Sequence, residues 1–175
     1  MIQDEVPMAY DFQHLQTIHC FDAITIRVPA RWDCGPDWEL RGSWCCCKDG
    51  EESGTLWITL DRFQGPGNAD GASGFDLRGF VDAMVDDIMS ENSDPTLEND
   101  IVDIEGGYLW KRIFDGVEEG ENLRYFRYKF FKCRENEVAI ADFNFVLLAS
   151  DLGDPEFLDL IQIMDREIRA ARVEP

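Results

Sequence analysis

Three cysteines stand side by side at Cys45, Cys46 and Cys47, and thiols so placed invite three chemistries: metal ligation, redox exchange or nucleophilic attack. The segment around them reads as a strand, in which successive side chains point to opposite faces. That alternation puts Trp44 and Cys46 on one side and Cys45 and Cys47 on the other, so the three thiols do not converge on one ion. Structural zinc sites space their cysteines by two to four residues, and no second such pair is present; a site using Cys45 or Cys47 with Cys34 is the residual metal reading. Cysteine also behaves as a small, readily buried hydrophobe, and we read this triplet as strand residues carrying free thiols and no metal.

Histidine, the commonest general base, occurs twice, at His14 and His19. His19 adjoins Cys20, but in a strand the two face apart, so a Cys–His pair requires Cys20 with His14 or Cys34 with His19. The glycine-rich stretch 64–74 lies between a strand and a helix, where phosphate loops occur. Its glycine spacing fits neither the dinucleotide fingerprint nor a P-loop, no Lys follows, and Asp70 repels a phosphate. No G-x-S-x-G or H-E-x-x-H is present. With 36 acidic residues, carboxylate pairs occur by chance and discriminate nothing; a hydrolase built on a carboxylate pair or a Cys/His pair is the alternative, ranked below a non-catalytic binding protein.

The chain has 175 residues with 45% hydrophobic content, enough for one self-supporting core, and is read as one domain over 1–175. Its formal charge of -20 opposes binding to nucleic acid or to an anionic membrane surface, and points to a protein partner or a neutral ligand. The N-terminus lacks the basic and apolar regions of a secretory signal, and no apolar run is long enough to span a bilayer. Six cysteines with three adjacent do not make an orderly disulfide framework, so a reducing cytoplasm is expected, with no cofactor.

The elements that position these residues follow from periodicity. Residues 21–29 alternate Ile24, Ile26 and Val28 against Thr25 and Arg27, as a half-buried strand does, and 14–20 pairs with it. A turn-rich stretch 29–36 leads to a second hairpin, 38–48 and 55–63, closed by a turn at 49–54. Ser73 and Asp76 form an S-x-x-D start signal for an amphipathic helix running from Phe75 to near Ser90, with Met84 and Met89 filling the core. Residues 92–99 read as a loop. Three strands follow, over 101–114 with an interruption at Gly106-Gly107, over 123–133 and over 137–148, linked as a meander. Asp154 caps a closing helix with Pro155 at its first position and Phe157, Leu160, Ile161, Met164 and Ile168 at helical spacing.

The link between the last two strands is short enough to fix their register. If Glu135-Asn136 form a two-residue turn, Arg134 opposes Glu137, and Phe126, Tyr128 and Phe130 lie with Phe145, Phe143 and Ala141 on the core face. On the other face Lys129 opposes Asp142 and Arg127 opposes Asn144, flanked by Tyr125 and Phe131 against Val146 and Ile140. Two accounts fit that face. One is an internal ion pair beneath a helix or loop; the other is a polar–aromatic binding patch of Tyr125, Arg127, Lys129, Asp142 and Asn144, whose Arg offers a planar fork to a partner's carboxylate.

The class is α+β: an antiparallel sheet of two N-terminal hairpin units and a C-terminal three-stranded meander, packed with two amphipathic helices. This order, with the strand Ile24-Thr25-Ile26-Arg27-Val28-Pro29 running into Trp32 and the closing helix from Phe157 to Ile168, resembles the PsbP-like fold over nearly the whole chain. That fold is shared by the photosystem subunit PsbP, the Ran-binding Mog proteins and bacterial relatives that include chaperones for secretion effectors. The resemblance implies a non-catalytic binding module, an adaptor or a chaperone. No catalytic motif of the family maps onto this chain.

Overall fold

The computed structural model describes residues 14–37, 39–47, 54–65, 75–91, 96–135 and 137–175. It is an α+β sandwich of strands β1 (Leu15–Cys20), β2 (Ile24–Pro29), β3 (Asp33–Pro36), β4 (Ser43–Cys47) and β5 (Thr55–Gln64), helix α1 (Leu77–Glu91), strands β6 (Thr96–Ile104), β7 (Gly107–Glu118), β8 (Glu121–Arg134) and β9 (Glu137–Leu148), helix α2 (Pro155–Arg169) and strand β10 (Arg172–Val173). The strands form two antiparallel sheets, one of order β1-β2-β10 and one of order β3-β4-β5-β9-β8-β7-β6.

The period-two pattern of β2 explains the first layer. Ile24, Ile26 and Val28 are buried, while Arg27 points away and bonds Glu167 of α2. The chain enters β2 through a tight turn in which Phe21 and Asp22 both have positive φ and Ala23 N–H donates to the Cys20 carbonyl. The small sheet and the apolar stripe of α2, Leu160, Met164 and Ile168, cover the inner face of the large sheet, where Leu56, Ile58, Phe126, Phe130, Phe143 and Phe145 lie. Helix α2 starts as its sequence dictates: Asp154 accepts from Glu156 N–H, Pro155 opens the helix, and Arg166 and Arg169 sit in its last turn.

Helix α1 packs on the opposite, outer face. Val81 and Val85 meet Trp110, Phe131, Val138 and Ile140, with Met84 and Met89 packed alongside as core filling. The helix begins at Leu77, and Asp76 Oδ1 accepts from Gly79 N–H at its first turn. Ser73 of the expected start signal, the loop residues 66–74, the turn residues 49–53, the loop residues 92–95, and Trp38, Lys48 and Asn136 lie outside the described residues.

Four strand assignments depart from the periodicity reading. Asp33–Pro36 sits in the turn-rich stretch yet forms β3, because an edge strand tolerates Gly35 and Pro36. Its partner β4 occupies only Ser43–Cys47. The expected single strand over 101–114 is a hairpin of β6 and β7: Gly106 takes φ +73 in the turn, and Ile104 pairs with Gly107. Strand β6 also starts at Thr96, inside the expected loop. The meander therefore has a fourth strand, β6, beyond the three read from the sequence.

Candidate binding face

The large sheet presents its outer face in cross-strand rows. The register of β8 and β9 is the one set by the short turn: Arg134 pairs with Glu137, Lys129 with Asp142, Arg127 with Asn144 and Tyr125 with Val146. Pairing of β7 with β8 adds Trp110 beside Lys129, Arg112 beside Arg127 and Phe114 beside Tyr125. Pairing of β5 with β9 adds Thr59 beside Asp142 and Trp57 beside Asn144. One row thus reads Arg112, Arg127, Asn144, Trp57 across four strands.

The five residues singled out by sequence lie together on this face, and three are directly bonded. Lys129 Nζ donates to Asp142 Oδ2 at 2.6 Å, and Arg127 Nε donates to both carboxylate oxygens at 3.1 and 3.0 Å. Arg127 Nη2 closes a second bond to Oδ2. Burial pushes the Asp142 carboxyl up, but the Arg127 hydrogen bonds and the Lys129 and Arg127 charges outweigh it and hold the group below the ordinary aspartate value. Burial likewise works against the Arg127 charge, and the bonds to Asp142 more than restore it. The Asp142 side chain is 13% exposed and that of Arg127 30%, so the carboxylate is the inner member and the guanidinium the outer one.

Aromatic surface borders the ion cluster. The rings of Phe114 and Tyr125 stack at 4.8 Å and 7°, and the guanidinium of Arg112 lies 4.4 Å from the Phe114 centroid. Arg112 Nε donates to Thr96 Oγ1 at 3.1 Å, and Tyr125 OH donates to Glu118 Oε2 at 3.0 Å. Asn144 Oδ1 is buried and has no hydrogen-bond partner among the described residues. Arg127 and Lys129 converge on Asp142, the fully buried Arg112 lies beside Arg127, and Asp61, Glu118 and Glu121 lie toward the margins of the same face.

Arg112, Phe114 and Trp57 escape a reading of the sequence alone. The signal for the first two is the alternation Tyr108, Trp110, Arg112, Phe114, which becomes a face only once Gly106 is recognised as a turn. Trp57 arrives through the β5–β9 pairing, which is remote in sequence.

The other candidates separate. All six cysteines are free thiols. Cys46 is buried in the inner core, while Cys45 and Cys47 point to the outer side of β4, as the alternation requires. Among the described residues no group of three His, Cys, Asp or Glu side chains is placed to hold a metal. His19 is exposed with Nδ1 and Thr25 Oγ1 hydrogen-bonded at 3.0 Å, whereas Cys20 is buried on the opposite side of β1, where desolvation pushes its thiol up to about 12. A separate concavity of about 520 Å³ beside the start of α1 is lined by Leu77, Arg78, Asp103, Tyr108 and Cys133. Among the described residues no helix is long and apolar enough to cross a membrane.

No family model matches the sequence, and no curated protein matches it. Solved structures do match in fold. LpqN of Mycobacterium tuberculosis, described as involved in cell envelope biogenesis, is 12% identical with a TM-score of 0.61, over 93% of this chain and 91% of that one. The Ran-binding protein Mog1p of Saccharomyces cerevisiae is 14% identical with a TM-score of 0.55, over 91% and 95%. Cyanobacterial PsbP (CyanoP) of Synechocystis sp. PCC 6803 is 13% identical with a TM-score of 0.53, over 97% and 96%. The chain has the PsbP-like, Mog-type fold.

Proposed function

We propose that this protein is a non-catalytic binding module, an adaptor or chaperone of other proteins, and that it engages a partner through the outer face around Tyr125, Arg127, Lys129, Asp142 and Asn144. The observation that carries the reading is the part-exposed guanidinium of Arg127, bonded to the buried Asp142 and standing on the same face as the stacked rings of Phe114 and Tyr125, on a strongly acidic chain. Arg127 is the anchor, because its half-exposed guanidinium is held in plane by Asp142 and backed by Lys129. Tyr125, Phe114 and Trp57 supply the flat aromatic surface that binding sites favour. The ligand class that fits is a protein segment presenting carboxylates. That Mog1p is a Ran-binding protein agrees with a binding role on this fold, though fold alone does not carry function.

The reading is tested by affinity capture with the wild-type protein and with a Tyr125→Ala, Trp57→Ala variant whose melting temperature has been checked, alongside assays on generic ester, phosphate and glycoside substrates. The expected result is a salt-sensitive partner lost in the variant and no turnover. A reproducible activity that disappears on changing one carboxylate or His19 favours the hydrolase alternative instead.

A further inference from the structure

Cys34 of β3 and Cys46 of β4 occupy directly opposite positions of an antiparallel pair. Which kind of opposite pair they form follows from their neighbours. Asp37 N–H donates to the Ser43 carbonyl, so Asp37 and Ser43, next in register after Pro36 and Trp44, are a hydrogen-bonded pair. The two kinds alternate along an antiparallel ladder. Pro36 and Trp44 are therefore a non-hydrogen-bonded pair, as the missing N–H of proline requires, and two residues along so are Cys34 and Cys46. In such pairs the Cα atoms stand about 4.5 Å apart with the side chains at their closest. That lies inside the roughly 4.4–6.8 Å that a disulfide spans.

From this geometry we propose that Cys34 and Cys46 are an oxidisable dithiol, Cys34 being the thiol that meets a hydroperoxide and Cys46 the one that resolves it into an intramolecular disulfide.

Access and chemistry agree on the order. Cys34 lies half-buried on the edge strand of the large sheet, whereas Cys46 is 0% exposed. Cys34 Sγ donates to the Trp32 carbonyl at 3.8 Å, and the neighbouring Cys46 thiol draws the Cys34 thiol below its ordinary range against burial and the nearby Asp33 charge, while Cys34 and burial push Cys46 up. Cys20 also faces this core but is buried, its thiol donating to the Ile24 carbonyl at 4.0 Å. In the first step the Cys34 thiolate attacks the O–O bond of the hydroperoxide. A sulfur–oxygen bond forms, the O–O bond breaks, and the leaving oxygen takes a proton to depart as alcohol or water. In the second step Cys46 sulfur attacks the Cys34 sulfenic acid: the S–S bond forms, the S–O bond breaks, and hydroxide leaves with the Cys46 proton as water. The two sulfurs give up two electrons in all, and the peroxide oxygens accept them. The product ties the four-residue edge strand β3 to β4 and leaves the outer face, including Cys45 and Cys47, untouched.

The test is hydrogen peroxide titration of the folded, reduced, full-length protein, read by thiol count and by fragment mass spectrometry. The expected result is loss of two of the six thiols per chain, reversed by dithiothreitol, with the linkage mapped to Cys34 and Cys46. Cys46→Ser, folded by circular dichroism, is expected to stop at the first step and carry a dimedone-trappable sulfenic acid on Cys34. Linkage through Cys45 or Cys47, bonds between chains, or thiols that resist peroxide until the protein is unfolded would each overturn the proposal.

Discussion

Lys129 of β8 and Asp142 of β9 face each other across one rung of the large sheet, with Nζ 2.6 Å from Oδ2, and the same carboxylate is clamped from the diagonal position by Arg127. A carboxylate that is mostly buried depends on its cations, because removing them leaves an uncompensated charge in a low dielectric. Arg127→Ala combined with Lys129→Ala is therefore expected to cost on the order of 3 kcal/mol. Adding Asp142→Asn to that pair is expected to recover part of the loss. Denaturant melts of the double and triple variants check both; a triple variant less stable than the double contradicts the ion-pair account.

The acid limb of stability follows from the same group. Asp142 is held below the ordinary aspartate value, and Asp165, whose burial is outweighed by the Tyr128 hydroxyl and by Lys111, is shifted the same way. In the unfolded chain both titrate near the ordinary value of about 3.9, so as pH falls the unfolded state takes up protons first. Their contribution is fully present above the unfolded value and is lost as pH falls through the folded values. Urea midpoints are expected to hold down to about pH 5 and to drop below it, with a shallower drop in Asp142→Asn. A midpoint independent of pH down to about 3 contradicts this.

How much of this was legible in the sequence differs strand by strand. The β8–β9 register followed from a two-residue link and an uninterrupted aromatic alternation, Phe126, Tyr128, Phe130, which leaves one way to bury the rings. Strand β6 was not separable from β7, because the turn glycine Gly106 is followed by Gly107, a strand residue whose glycine identity is dictated by a close backbone approach and not by a turn. The joining of β5 to β9 depends on pairing between distant segments, which no local pattern encodes, and with it the place of Trp57.

That close approach gives a stability test of its own. A Cβ on Gly107 would stand 1.8 Å from the Phe131 carbonyl oxygen, so Gly107→Ala must push β7 and β8 apart. The expected cost is at the upper end of the roughly 1–3 kcal/mol typical of overpacking. Gly120→Ala meets open space but carries φ +90, and is expected to cost less, about 1 kcal/mol from backbone strain alone. Equal melting temperatures for the two variants contradict the pairing described for β7 and β8.

Helix α2 is locked to the small sheet by a second buried carboxylate. The Glu167 side chain is 1% exposed and accepts from Arg27 Nε at 2.7 Å, Arg27 Nη2 at 3.0 Å and Arg166 Nε at 2.8 Å. Arg27→Ala leaves Arg166 as the one cation bonded to it among the described residues and is expected to destabilise by about 2 kcal/mol, less than a fully orphaned charge. Glu167→Gln in that background is expected to return part of the loss. Thermal melts of the single and double variants decide it, and an unaltered Arg27→Ala melt rules the lock out.

The central claim, that the outer face binds a carboxylate-bearing protein partner, is tested most directly by the affinity of the captured partner for wild type and for Tyr125→Ala combined with Arg127→Gln. Lys129 still neutralises Asp142 in that variant, so the fold is retained at reduced stability while the part-exposed guanidinium and the ring are lost. The account predicts binding weaker by about tenfold or more, near 1.4 kcal/mol, with a reduced salt dependence, measured at a temperature where the variant is folded. Unchanged affinity and unchanged salt dependence in a folded variant would contradict it.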